Sequence, residues 1–536
     1  MPDENVDNLM KAIGNPGKYQ VLIFALTSIN FMIMLSTHFT MIFFAAKTEH
    51  HCSVATGRNI SDIIPTITSN GEQKLDGCNL YQNGNKTQTI PCNNGWTYCM
   101  EEREQTIISE FDLVCDDAYK ADLATTIYFC GVTLGGIFFG VLADRFGRWP
   151  IIAITLLAAG IIGIAIFIFR TYIAFVVLRF CLGLVIQGLQ SSSVVLSMEL
   201  FSAKYRGHVG VLCGVTGNIG ALCFALLVYV VRDWKYIQLA LSIVSLVQLV
   251  SLWIIPESIR WHLLHGRFKN AETTIRKIAK VNKLPYPEDL FEKVKLQSAK
   301  EIACPNTKQN VNLLDLYRSS SLRKVTIILS IVLFSISVTF FGLSFNISFL
   351  FGNKYLNFAV GQVIDVLCIS SLLWTVPRFG RRKPLVSTIF ISAVTIAICA
   401  VIASLNTERK HANIIRTVAA LGGKAFSSSA IVVMILFTAE LYPTILRNIG
   451  FGVNMFWSRV GAMIAPQIFF LGYKTSALIP YAIVGTLVIV SGILVLMLPE
   501  TRKRILLDRL RSETTCEKND EQQNIINDDP VEESPL

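Results

Sequence analysis

Charge is costly in a lipid bilayer, and this sequence places some there. Arg459 and Asp365 each interrupt an apolar run long enough to cross a membrane, and an ion held in hydrocarbon costs a few kcal/mol unless it is paired or used. Arg459 lies twelve residues beyond Arg447, about 18 Å along a helix at 1.5 Å per residue, which sets it near the middle of its span. A guanidinium or a carboxylate at that depth can recognise an ion of opposite sign. Neither makes or breaks bonds by itself. Gln187, Gln190, Phe340, Phe341 and Lys424 occupy neighbouring runs and are candidate wall residues. Aromatic faces attract quaternary ammonium groups by about 0.5–2 kcal/mol.

A second set of charges marks the ends of apolar runs. Gly140-Val141-Leu142-Ala143-Asp144-Arg145-Phe146-Gly147-Arg148-Trp149-Pro150 forms a charged elbow between two of them. Gly135, Gly136 and Gly140 suit close helix contact, as small residues do in membranes. Arg145-Phe146-Gly147-Arg148 returns as Arg378-Phe379-Gly380-Arg381, Glu199 and Arg206 return as Glu440 and Arg447, and Pro256-Glu257-Ser258 returns as Pro499-Glu500-Thr501. The three offsets are 233, 241 and 243, so a unit of roughly 240 residues occurs twice in the same order. This is an internal duplication.

The elements that must position these charges follow from composition. Hydrophobic residues make up 52% of the chain and charged residues 16%, well below the quarter expected of a soluble domain. Twelve runs of about 20 residues or more, each enough for a helical crossing, lie near 19–46, 122–143, 150–169, 172–198, 208–231, 236–255, 325–351, 358–377, 384–405, 413–438, 448–473 and 477–498. The expected fold is therefore an all-α membrane protein of two parallel six-helix repeats, 19–255 and 325–498. The polar head, 1–18, lacks the basic start and cleavage site of a signal peptide.

Loop charge sets the orientation. Residues 256–324 hold fourteen Lys or Arg against seven acids, and the positive-inside rule places them in the cytoplasm with both termini. In that segment Ala271, Ile275, Ile278 and Ala279 share one face of an amphipathic helix over 269–281. Residues 47–121 hold eleven acids against six bases and belong outside. That loop also carries Cys52, Cys78, Cys92, Cys99 and Cys115, and two glycosylation sequons at Asn59 and Asn85. Five cysteines leave at least one thiol unpaired within the loop, and the pairing stays open. The tail, 499–536, turns acidic and reads as disordered.

Several classes are excluded. The net charge of +10 sits in short loops, not in a nucleic-acid footprint. No cysteine spacing matches a zinc site, so no metal is expected. No glycine-rich phosphate loop supports ATP-driven pumping. The seven histidines form no nucleophile–base arrangement, so an enzyme is not expected, and no cofactor is called for.

Twelve helices with Asp/Arg elbows resemble the major facilitator superfamily. Within it, the chain is similar to the organic cation, anion and zwitterion transporter family (solute carrier 22-like). Thr48-Glu49-His50-His51-Cys52, Thr106 to Cys115, Pro256 to Trp261 with Gly266-Arg267-Phe268, and Ala439 to Thr444 with Arg447-Asn448 carry that likeness. Phe341-Gly342-Leu343-Ser344, Asp233-Trp234 and Ile275 to Asn282 look most like its carnitine and organic cation branch.

The resemblance implies alternating access at the plasma membrane, with two halves rocking about a mid-membrane site. Asp144, Arg145, Arg148, Glu199 and Arg206 in one half, and Arg378, Arg381, Glu440 and Arg447 in the other, would form the gates. Pro377 replaces the acid of the second elbow, so that gate should be the weaker. Family members that carry cations have an acid at the position of Arg459, whereas anion and zwitterion carriers have arginine, so Arg459 can take a carboxylate bidentately. Family members have Glu or Asp at the position of Asp365, which could bind a substrate ammonium or neutralise Arg459. Anion-specialised members add a lysine where this chain has Ile369, and Gln190 and Val194 replace aromatic residues of cation carriers. One acid and one arginine suit a carnitine-like zwitterion, with organic cations and then organic anions as alternatives. A coupling ion, sodium or proton, is not legible. A receptor of the same fold without turnover is the alternative of another class.

Overall fold

The computed structural model describes residues 2–46, 48–54, 63–69, 72–82, 85–92, 94–99, 104–303, 314–405, 410–443 and 446–500. The Asn59 sequon and the tail beyond residue 500 lie outside the described residues. Twelve long helices are found among them: α1 Lys18–Phe44, α2 Tyr119–Phe146, α3 Arg148–Ile168, α4 Tyr172–Glu199, α5 Ala203–Val231, α6 Trp234–Gln248, α7 Ser320–Phe345, α8 Lys354–Phe379, α9 Arg382–Ser404, α10 Lys410–Leu441, α11 Arg447–Lys474 and α12 Leu478–Leu496. Eight begin two to five residues before the apolar stretch that announces them, while α6 and α7 end seven and six residues short of theirs, where the chain tightens into the 3-10 segments Leu249–Trp253 and Asn346–Phe349. Eleven are long and apolar enough to cross a membrane. The remaining one, α11, has 28 residues but carries Asn454, Arg459 and Gln467 along its length.

Packing repeats as the sequence does. The pairs α1·α5, α2·α4, α3·α6 and α3·α4 recur six helices later as α7·α11, α8·α10, α9·α12 and α9·α10. The two halves meet through α2·α11 and α5·α8, which are the same contact seen from either half. Both elbows need glycine: Gly147 has φ +110° and Gly380 +87°, and a Cβ on either would strike the carboxylate of Glu257 or Glu500. Close approach of α2 to α4 rests on Gly131 and Gly135, whose missing Cβ atoms would fall near 2 Å from the carbonyls of Phe180 and Leu184. Gly140, expected to share this role, has nothing within 4 Å of its Cβ position, and Gly136 meets only Gln187 at 3.5 Å. The α2·α4 stripe therefore sits one turn nearer the start of α2 than the sequence suggests.

Between the halves, helices Ile259–Leu264, Phe268–Asn282 and Glu288–Ala303 follow α6. Ala271, Ile275, Ile278 and Ala279 are buried as one face of the second. The polar head is itself helical over Pro2–Ala12, and Asn5 donates to Gln297 at 2.6 Å. We call this side of the bundle the elbow end.

At the other, loop end, the segment after α1 forms three antiparallel strand pairs: β1 Glu49–Cys52 with β6 Trp96–Cys99, β2 Thr66–Ser69 with β3 Glu72–Leu75, and β4 Asn79–Gln82 with β5 Asn85–Pro91. These strands are only four to seven residues long and mostly polar, which is why hydropathy does not announce them. Disulfides join Cys52 to Cys92 and Cys78 to Cys115, leaving Cys99 as a free, exposed thiol. Alkylation without reduction should therefore label Cys99 and spare the other four loop cysteines, as peptide mass spectrometry would show. Modification of Cys52 or Cys78 instead would contradict this connectivity.

Candidate substrate site and gates

Each elbow is built around one arginine. In the first half the Arg148 Nη2 donates to Asp144 Oδ1 at 3.1 Å and to Glu199 Oε1 at 3.2 Å, tying α2, α3 and α4. In the second, Arg381 donates from Nε and Nη2 to Glu440 Oε1 at 3.0 and 2.7 Å. Among the described residues the Arg381 guanidinium thus has one carboxylate where that of Arg148 has two, as the Asp-to-Pro exchange at residue 377 requires. Arg378 lies over the Trp374 ring at 4.9 Å, and Arg145 over Phe146 at 5.5 Å. One expected member sits differently. Arg206 turns away from Glu199 to Asp7 of the N-terminal helix at 3.3 Å, a carboxylate that also holds Arg260 at 2.5 Å. Arg447 is half-buried at the start of α11.

Two elbow carboxylates were visible only as an echo. The Glu257 carboxylate accepts from the backbone N–H groups of Arg148 and Trp149 at 3.1 and 3.0 Å, and Glu500 from those of Arg381 and Arg382, both at 3.1 Å. Each anion satisfies otherwise orphaned donors at a helix N-terminus and faces its positive dipole end. Loss of either cap by Glu→Ala should cost about 1–2 kcal/mol. A lower Tm of the purified protein checks this. An unchanged Tm in both Glu257→Ala and Glu500→Ala would contradict it.

At mid-membrane the charges pair in an unexpected way. Lys424 on α10 donates to Asp365 on α8 at 2.7 Å, and both side chains are wholly buried. Asp365 does not neutralise Arg459. The Lys424 ammonium also lies 5.8–6.0 Å from the ring centroids of Phe39, Phe340 and Phe358. Phe39 belongs to α1, so this aromatic box is closed by the opposite half. Arg459 on α11 reaches across to α4, donating from Nη2 to Gln190 Oε1 at 2.9 Å. Gln187, one turn earlier on α4, is buried. Phe341 packs edge-on against Phe129 of α2 at 4.9 Å and against Phe340 at 5.0 Å. Arg459, Gln190, Gln187 and Phe341 therefore lie on α4, α7 and α11, around the α2·α11 contact between halves, while Asp365 and Lys424 form a separate closed pair in the second half.

A further cation was missed. Arg179 on α4 is fully buried, lies over the Tyr128 ring at 4.5 Å, and has no hydrogen-bond partner for any of its three nitrogens among the described residues. Tyr128 meets His38 Nδ1 through its hydroxyl at 2.7 Å. The rule that singles out Arg459, a charge inside an apolar run, applies equally to Arg179 and would have found it.

The halves are fastened at the loop end. Glu104 accepts from Lys354 Nζ and Tyr355 Oη, both at 2.5 Å, and Tyr355 stacks on Phe43 at 5.6 Å. Deeper in, Thr126 of α2 donates to the Met463 carbonyl of α11 at 3.2 Å and accepts from Gln467 at 3.1 Å.

Comparison with known proteins agrees with this architecture. The profile of the Sugar (and other) transporter family matches residues 69–509. The chain is 31% identical to solute carrier family 22 member 6 of Danio rerio, over 94% of this chain and 93% of the relative. It is 29% identical to organic anion transporter 3 of Sus scrofa, over 93% and 91%, and 29% identical to the human organic cation/carnitine transporter 2, over 92% and 91%. Among solved structures, the inward-open xylose transporter XylE from E. coli superposes with a TM-score of 0.63 at 15% identity, covering 91% of this chain and 98% of that one, a likeness of fold alone. A family profile over most of the chain, relatives matched nearly end to end and a duplicated twelve-helix fold show together that this multi-pass membrane protein belongs to the major facilitator superfamily and, within it, to the solute carrier 22 transporters of organic ions, and is not an enzyme.

Proposed function

We propose that the substrate is a small organic anion whose carboxylate seats on Arg459. One observation carries this choice over its alternatives: the buried Asp365 is paired with Lys424, while among the described residues the Arg459 side chain hydrogen-bonds only a neutral amide. The central site therefore keeps a net positive charge, to which Arg179 adds. The substrate's apolar body would lie against Phe341 and Phe129, where burial contributes about 25 cal/mol per Å². Organic anion transporters among the relatives support this reading.

A zwitterion is the second reading, and the aromatic box favours it. Three phenylalanine rings already surround an ammonium in Lys424, and a betaine's quaternary nitrogen would suit such rings equally. The human carnitine transporter among the relatives points the same way.

In this proposal the loop end faces the outside of the plasma membrane, where its disulfides are stable and Asn85 accepts a glycan, and both termini lie in the cytoplasm. The elbow charges lock each half as a rigid body, and transport proceeds by rocking of the halves. The coupling ion is part of neither reading.

Uptake of labelled hippurate and labelled carnitine into cells expressing the chain separates the readings. Saturable hippurate flux with little carnitine flux is expected. Saturable carnitine flux alone would transfer the proposal to the zwitterion, and no flux of any labelled organic ion at normal surface expression would favour a receptor.

A further inference from the structure

A cavity of about 450 Å³ lies beneath the disulfide-tied loop, apart from the central site. Its walls come from both halves: Met41 and Ile42 of α1 and Thr125 of α2 on one side, and Phe345 of α7 with Phe469 and Phe470 of α11 on the other. Its roof is formed by His50, Cys78 and Cys115, two of which share a disulfide. None of Arg459, Asp365, Lys424, Gln190 or Phe341 lines it. Pro466, on its floor, is seven residues beyond Arg459 on α11, about 10 Å along the axis towards the loop end. The size is that of a pocket for a drug-sized molecule, and its largely apolar wall also carries Thr48, Asp122, Thr125, Asn346, Ser348 and Arg416.

Its polar equipment is specific. Arg416 of α10 reaches the cavity, its Nε is buried, and among the described residues its guanidinium has no hydrogen-bond or carboxylate partner. The guanidinium is half-buried, with its Nε buried and unpartnered, and a carboxylate or sulfonate from a ligand would satisfy it with charge-assisted hydrogen bonds.

From this we infer that the cavity is a second ligand site, which takes an amphipathic organic anion with its anionic head on Arg416 and its aromatic body between Phe345 and Phe469. A molecule wedged there touches both halves. It binds the loop-shut arrangement seen here and must loosen when the halves rock apart, so by linkage its occupation holds the transporter in this state. Such a ligand lowers the maximal transport rate without competing for the central site.

The test uses the full-length protein in lipid nanodiscs with naphthalene-1-sulfonate as the probe, read by the protein's thermal unfolding. The wild type should gain thermal stability with probe concentration in a saturable way. Arg416→Ala should weaken that response at least about tenfold, the loss of one charge-assisted hydrogen bond, with Arg416→Gln as the conservative second variant. Arg459→Ala should keep it in full. This last arm separates the inference from the reading of the central site: if Arg459→Ala abolishes the response while Arg416→Ala retains it, the probe occupies the central site and the inference is overturned. Absence of any response in the wild type overturns it as well.

Discussion

Replacement of Lys424 by methionine should be among the most damaging single changes in the molecule. It leaves the Asp365 carboxylate fully buried without the one hydrogen-bonded partner it has among the described residues. Breaking a buried ion pair from one side typically costs about 3–5 kcal/mol, because the remaining charge has neither water nor a counter-ion. The Tm of the purified protein should fall by several degrees. The companion change is the discriminating one. With Asp365→Leu added, no charge is left behind, and a well-packed apolar pair is often as stable as the ion pair it replaces. The double variant should therefore recover most of the lost Tm. Should it instead be as unstable as Lys424→Met, packing of the lysine stem among Phe39, Phe340 and Phe358, not charge pairing, would be the main contribution. Transport informs separately: a stable double variant that still carries hippurate would show that the pair is structural, while a stable but inactive one would show that the pair is needed during the cycle.

The second large effect belongs to Arg459. Hydrogen bonds to charged groups contribute about 1.5–3 kcal/mol each, and a carboxylate can take two from a guanidinium fork. Arg459→Ala should lower kcat/KM for an anionic substrate by at least about 100-fold, given that 1.4 kcal/mol is a factor of ten. Arg459→Lys keeps the charge and loses the fork, so it should recover part of the rate and not all of it. Gln190, which holds Nη2 at 2.9 Å here, must yield that hydrogen to the substrate. Gln190→Ala is accordingly expected to alter KM more than kcat.

How much of this was legible in the chain depended on the range of the interaction. The repeat was legible because charges at helix ends are rare in so apolar a chain, so Arg145 and Arg378, or Glu199 and Glu440, stand out against their neighbours. Helix positions followed from hydropathy, since each span must fill the bilayer. The amphipathic helix over Phe268–Asn282 was read from a period of 3.6 that the fold then uses. Pairing was another matter. Asp365 and Lys424 are separated by 59 residues, and nothing local says that α8 and α10 turn those faces towards each other. The same gap hid the partner of Arg206, which lies in the N-terminal helix at Asp7, 199 residues away. The capping by Glu257 and Glu500 was half visible: the repeated Pro-Glu pair marked both positions as equivalent, but the contact with Gly147 and Gly380 needs the end of each half to fold back on its own elbow. Arg179 was overlooked although its signal was local.

A mid-membrane arginine as the seat of a carboxylate is the claim on which the proposed function stands. Its most direct test is a cycle of four uptake competitions: hippurate and its neutral primary amide, each titrated against labelled substrate in the wild type and in Arg459→Ala at equal surface expression. If the carboxylate sits on Arg459, the acid should bind the wild type at least about 100-fold more tightly than the amide does, and the variant should bind the two nearly alike. An acid-over-amide preference that survives intact in Arg459→Ala would contradict the account and place the anion on another cation, with Arg179 the first to examine.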